Sequence, residues 1–202
     1  MRAYQVKISL NELEVWRRVV FPADITFYGL HRVIQYSMGW FESHLYEFEV
    51  QSEKLVIVDS KEEAEELAFY NSQPAYDGRV KEPKIFRTSR GVKIDRYLNE
   101  SYPMRYIYDM GDYWEHEIVL EKVIEDYEFV YPMCLDGDGA CPPEDCGGVG
   151  GYLELLAVMS DCNHPDYEEI MEWLEDAQYE DFNLKNTNHW MKELKLKRVK
   201  KS

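Results

Sequence analysis

The twelve residues Gly137-Asp138-Gly139-Ala140-Cys141-Pro142-Pro143-Glu144-Asp145-Cys146-Gly147-Gly148 hold four glycines and two prolines. Proline lacks the backbone donor and fixes φ, so neither a helix interior nor a central strand passes through the Pro-Pro pair. The run therefore divides the chain. Before it, apolar residues recur with period two: Tyr4, Val6, Ile8 and Leu10 alternate with Ala3, Gln5, Lys7 and Ser9. After it, the spacing is helical, over Tyr152–Ser160, Tyr167–Ala177 and about Thr187–Lys197. Strands first and helices later predict an α+β fold rather than alternating βαβ units.

A second strand follows in Val15–Phe21, stopped by Pro22. Thr26 opens a helix whose apolar positions Phe27, Leu30, Val33, Ile34 and Met38 share one face, and Gly39 ends it. Leu45–Val50 and Leu55–Val58 predict two further strands. Ser60 and Glu63 form a capping box before a short helix to about Phe69. Residues 71–91 are polar, with Pro74, Gly78, Pro83 and Gly91, and predict a long surface loop or a seam. Met104–Tyr108 and Trp114–Val123 predict paired strands joined across Asp109-Met110-Gly111-Asp112. The expected organisation is one domain over 1–202. Its strand-rich part, 1–132, holds a mixed or antiparallel sheet with one long helix packed on it. A Gly/Pro/Cys loop, 133–151, leads to a helical C-terminal third, 152–198.

The net charge is -16, unevenly spread. Between Lys122 and Lys185 there are 17 Asp/Glu and no Lys or Arg, whereas residues 192–201 hold six Lys/Arg and one acid. Nucleic-acid binding draws on Lys/Arg neutralising phosphates, so direct binding of nucleic acid by this body is not expected. A cation or a basic protein partner suits it. The basic tail reads as a solvated helix end. No apolar run approaches the ~18 residues of a membrane span, and the N-terminus alternates like a strand instead of forming a signal-peptide core, so a cytoplasmic location is expected. Four cysteines are too few for a disulfide scaffold and are expected as thiols or metal ligands.

Two groups are candidates for chemistry. Cys134, Cys141, Cys146 and Cys162, with His164 as an alternative fourth ligand, supply the donors that zinc prefers. The competing reading is small buried hydrophobes and free thiols. At the hairpin, Asp109, Asp112, Glu115 and His116 offer a divalent-cation site or an acid/base pair. Asp and Gly are also ordinary turn residues, and alternation sets His116 on the opposite face from Glu115 and Glu117. His31 and His44 read as hydrogen-bonded structural histidines. Tyr108, Tyr113 and Trp114, if exposed, are natural anchors for a partner, together with Glu144 and Asp145. Gly147–Gly151 leads into a helix, but Glu144, Asp145 and Glu154 flank it and make a poor phosphate cradle. Nucleophile-elbow, zinc-helix, phosphate-loop and dinucleotide motifs are absent from the sequence.

Four stretches carry a family resemblance. They are Trp16-Arg17-Arg18 with Leu30–Gln35 and Met38-Gly39-Trp40; His44-Leu45-Tyr46-Glu47-Phe48; Tyr106–His116; and Ala140–Gly148 with Gly151-Tyr152 and His164-Pro165. In this order, over roughly residues 4–190, the chain resembles the plasmid pRiA4b ORF-3-like family. Met110 stands where that pattern usually has Phe. The resemblance implies a protein of unknown function; some relatives are called resolvases or regulators, and some carry the domain beside a DNA-binding module. A resolvase needs a nucleophile in a basic cradle, which this acidic body does not offer.

Two functions follow as expectations. One is a non-catalytic binding domain that engages a basic protein partner, in a regulatory or mobile-element setting that the resemblance alone implies. The other is a metal-dependent hydrolase using Asp109, Asp112 and His116.

Overall fold

The computed structural model describes residues 1–75, 79–98, 102–194 and 196. The expected basic tail therefore falls mostly outside the described residues. The fold is α+β. Among the described residues, eight strands form one mixed sheet, and five helices accompany it. The strands are β1 (Ala3–Leu10), β2 (Trp16–Pro22), β3 (Tyr46–Val50), β4 (Leu55–Val58), β5 (Ile85–Thr88), β6 (Met104–Tyr108), β7 (Trp114–Ile124) and β8 (Met133–Asp138). The helices are α1 (Phe27–Met38), α2 (Lys61–Ser72), α3 (Gly148–Met159), α4 (Tyr167–Asp176) and α5 (Leu184–Glu193). The sheet order is β5-β4-β3-β6-β7-β1-β2-β8, antiparallel except for the β4–β5 pair.

Period-two patterning sets which face is buried. Along β7, Trp114, His116, Ile118 and Leu120 are buried, while Glu117, Val119 and Glu121 are exposed. The buried side meets Tyr4, Val6 and Ile8 of β1, Phe48 of β3 and Tyr106 of β6 in one core. Helix α1 closes that core with Phe27, Leu30, Val33 and Ile34, all fully buried. Each such side chain contributes about 1.5–3 kcal/mol of transfer free energy. Thr26 Oγ1 accepts the Gly29 N–H at the start of α1, and Gly39 closes it in the left-handed region. Helix α2 lies elsewhere, over a small cluster of Val56, Val58 and Ala64. Its Ser60 hydroxyl accepts the Glu63 N–H, as the capping box predicts.

Three expectations are corrected. The helix α1 is not singled out by length, because α1, α2 and α3 each have twelve residues. The polar stretch 71–91 contains β5, which adds to β4 in parallel. The expected loop 133–151 contains β8 and the first turn of α3. An edge strand can carry Asp136 and Gly137 because its outer ladder needs no partner strand. Asn188 of α5 does the pairing instead: its side chain accepts the Cys134 N–H at 2.9 Å and donates to the Cys134 carbonyl at 2.8 Å.

Arg17 fixes the loop that follows β8. It is 2% exposed, and its guanidinium donates to the carbonyls of Ser37, Trp16, Asp138 and Gly139 at 2.7–3.0 Å. Its centre also lies 4.2 Å from the Phe182 ring centroid. One side chain thereby ties β2 to the end of α1 and to the Gly/Pro/Cys run. Gly139 must be glycine here: its φ is +76, and a Cβ would stand 2.5 Å from the Glu14 carbonyl.

Candidate functional site

Three segments distant in sequence meet at the end of the β6–β7 hairpin. The first is the connection from α1 to β3, which carries Trp40, Phe41 and His44. Trp40 is buried, and its Nε1–H donates to the Pro142 carbonyl at 3.0 Å. The second is the hairpin turn, which carries Asp109. The third is the β8–α3 loop, which carries Glu144 and Asp145.

Asp109 is 8% exposed and has a φ of 59. An aspartate tolerates this left-handed conformation better than most residues, because its side chain bonds the local backbone. Here Oδ1 accepts the Gly111 N–H at 2.8 Å, while the Asp109 N–H donates to the Leu45 carbonyl. The second oxygen, Oδ2, is left to face His44 at 3.7 Å. Glu144 is held from two sides: Oε1 accepts the Tyr108 hydroxyl at 2.8 Å and the Phe41 N–H at 2.9 Å. Its Oε2 lies 3.3 Å from His44 Nε2. Asp145, also with positive φ, brings Oδ1 to 3.4 Å from the same nitrogen. Tyr108 accepts the Ser43 N–H, so it braces the His44 loop as well as Glu144. Burial first, and the Glu144 carboxylate second, raise its pKa and keep the phenol protonated.

His44 Nε2 is itself buried and lacks a hydrogen-bond partner among the described residues. Around it stand three carboxylate oxygens. Ligand atoms of His44, Asp109 and Asp145 lie within 4.8 Å of one another, the one group of three or more potential metal ligands so gathered among the described residues. Two ligands at ~2.1 Å from a shared ion lie roughly 3–3.5 Å apart; Asp145 Oδ1, 3.4 Å from Nε2, falls in that range, and Asp109 Oδ2, at 3.7 Å, lies just beyond it. A mixed imidazole and carboxylate set suits a divalent transition metal. Beside the cluster, Phe41, Glu144, Asp145, Trp173, Asp176 and Ala177 line an open cleft of about 420 Å³.

The residues expected for chemistry are placed differently. Of the Asp109, Asp112 and His116 set, only Asp109 enters the cluster. Asp112 Oδ2 accepts the Gly147 N–H at the start of α3. His116 is fully buried, with Nδ1 on the Trp114 carbonyl and its ring against Trp40 and Tyr106. Glu115 instead pairs with Arg105 on the other face of the hairpin. Period-two alternation separates them.

The four cysteines are likewise not gathered into a ligand set among the described residues. Cys134 is buried in β8 and donates to the Asp136 carbonyl, Cys141 and Cys146 pack partly buried against the core, and Cys162 is exposed beyond α3. Burial pushes the Cys134 thiol up to about 11 and those of Cys141 and Cys146 up to about 12. His164 is half-buried, and its Nδ1 accepts the Asp166 N–H. Of the aromatic anchors, Tyr108 and Trp114 are buried and only Tyr113 is exposed. Sequence reasoning read His44 as a hydrogen-bonded structural histidine, whereas its Nε2 has no hydrogen-bond partner among the described residues. Its one signal was position, at the head of a stretch carrying the family resemblance.

The glycines after Cys146 have a structural role. Gly148 has a φ of +69, and a Cβ there would stand 2.6 Å from the Asp112 carbonyl oxygen. The start of α3 thus abuts the hairpin turn, holding Asp145 beside Asp109.

Comparison with known proteins agrees with the sequence resemblance. The chain is 34% identical over 178 residues to the uncharacterized protein y4hQ of Sinorhizobium fredii (strain NBRC 101917 / NGR234), covering 87% of this chain and 82% of that protein. A crystal structure of MM3350, a protein of unknown function from Methanosarcina mazei Go1, has a similar fold, with a TM-score of 0.73 and 30% identity. That similarity covers 92% of this chain and 97% of MM3350. The profile of the plasmid pRiA4b ORF-3-like proteins matches residues 2–189, and the chain belongs to that family.

Proposed function

We propose that this protein binds a divalent cation through His44 Nε2, Asp109 and Asp145, with Glu144 beside them. The observation that carries this reading is the His44 nitrogen, buried without a hydrogen-bond partner among the described residues and faced by carboxylate oxygens at 3.3, 3.4 and 3.7 Å. A cation held there, next to an open cleft, polarises a bound oxygen or activates water. The metal-dependent hydrolase reading thereby moves from Asp112 and His116 to His44, Glu144 and Asp145, and keeps only Asp109. Calorimetric titration of Mn²⁺ and of Zn²⁺ into the chelator-treated full chain tests the site. Asp109→Asn is the informative variant, because asparagine accepts positive φ and preserves the turn. One equivalent of cation is expected, weakened at least about tenfold by the substitution. Wild-type protein that takes up neither metal, or a variant that binds as tightly, contradicts the proposal.

A second reading, a non-catalytic interaction domain for a basic protein partner, is favoured by charge. The cleft beside the cluster carries Glu144, Asp145 and Asp176, and among the described residues its lining contains no lysine or arginine. Binding of a cationic peptide that weakens as salt rises from about 0.05 to 0.5 M supports this reading, and salt-independent or absent binding contradicts it.

A further inference from the structure

The cleft has more definition than a diffuse acidic surface. Phe41 forms one wall and is 67% exposed, although it lies between buried Trp40 and the Glu42–Arg32 ion pair. Exposing a phenyl ring to water forgoes its burial energy. Trp173 of α4, half-buried, contributes the other aromatic surface. Carboxylates approach from two sides: Glu144 and Asp145 from the β8–α3 loop, and Asp176 from the last residue of α4. Helix α4 also ends at the cleft, with Ala177 as its C-cap, so the negative end of the helix dipole adds to the same field. Aromatic faces and carboxylates around one opening are the complement of a cation with a flat apolar surface.

The geometry points to this cleft as the seat of an arginine side chain presented by a partner protein. A guanidinium stacks on aromatic faces while its fork of donors engages carboxylates, whereas an ammonium is a strongly hydrated point charge. About 420 Å³ is within the range of small-ligand sites and admits one such side chain with its flanking backbone. The inference rests on the basic-partner reading and adds the place and the recognised group.

The test uses fluorescence anisotropy with the full chain and three labelled peptides. Each has a glycine/serine background, with three arginines, three lysines or three aspartates. The variants Phe41→Ala and Asp176→Asn are at exposed positions outside the proposed cation ligands, so neither disturbs that site or the core. The arginine peptide is expected to bind about three- to tenfold more tightly than the lysine peptide, and each variant to weaken it by a similar factor. The aspartate peptide is expected not to bind. Arginine-peptide binding left unchanged by both variants overturns the cleft assignment while the basic-partner reading stands. Equal affinity for the lysine and arginine peptides overturns the choice of arginine. No binding of either cationic peptide overturns the cleft and the basic-partner reading together.

Discussion

The Trp40 indole donates to the Pro142 carbonyl at 3.0 Å, and that bond joins the loop carrying His44 to the loop carrying Glu144 and Asp145. Neither loop belongs to the sheet, so their relative position depends on few contacts. Trp40→Phe keeps an aromatic ring in the core and removes the donor. It is expected to cost about 1–3 kcal/mol of stability, from a lost hydrogen bond and a smaller ring. Cation affinity is expected to fall about tenfold, as when a group supporting a ligand is removed. Denaturant unfolding and metal titration of the same variant check both. Unchanged affinity in a destabilised protein contradicts the bracing role.

His116 makes stability depend on pH. Its ring is fully buried, and burial pushes its pKa down to about 4. Trp114 O only accepts, so Nδ1 carries the proton, and Nε2 is buried without a hydrogen-bond partner among the described residues. In the unfolded chain the same imidazole titrates near ~6.5. This contribution is therefore fully present above about pH 6.5 and is lost as pH falls towards about 4, where it amounts to on the order of 3 kcal/mol. His31, pushed down to about 3 by burial, acts in the same direction. His116→Phe is expected to flatten the fall in urea midpoint between about pH 7 and 4.5. An equally steep fall contradicts the assignment.

The cysteines give a direct count. Cys134, Cys141 and Cys146 are held as thiols by burial, and Cys162 is exposed. A thiol reagent at about pH 8 is expected to modify one cysteine quickly in the native protein and the rest only on unfolding. Chelator is expected to leave the native count unchanged. A rise in reactive thiols on adding chelator restores the zinc–cysteine expectation and contradicts the placement described above.

Arg17 reaches four carbonyls with its guanidinium, a pattern that lysine cannot reproduce. Arg17→Lys leaves several buried carbonyls without donors and is expected to cost about 2–4 kcal/mol. A loss below about 1 kcal/mol in denaturant unfolding contradicts its role as the tie between β2, α1 and the β8–α3 loop.

Period-two and helical spacing made most of the elements legible in the sequence. Tyr4, Val6 and Ile8 show the core face of β1, and Thr26 and Gly39 bracket α1 as its caps predict. β5 was not legible, because Ile85 and Phe86 are two apolar residues in a polar stretch, half-exposed at a parallel edge. β8 was hidden by turn-forming residues, and its pairing is completed by Asn188, far along the chain. The hairpin turn was legible; its chemistry was not. Local spacing suggested that Asp109, Asp112 and His116 work together, but the pleat and the helix start take His116 and Asp112 away. Glu144 and Asp145 stood in a conspicuous run, and nothing local said that His44 faces them. That contact comes from tertiary closure of three loops.

The central claim is a cation at His44, and the most direct measurement is anomalous scattering from crystals of the full chain soaked in manganese chloride. The expected result is one strong anomalous peak about 2.0–2.3 Å from His44 Nε2 and from a carboxylate oxygen each of Asp109 and Asp145. A well-ordered site without a peak, or manganese bound only elsewhere on the acidic surface, contradicts the account.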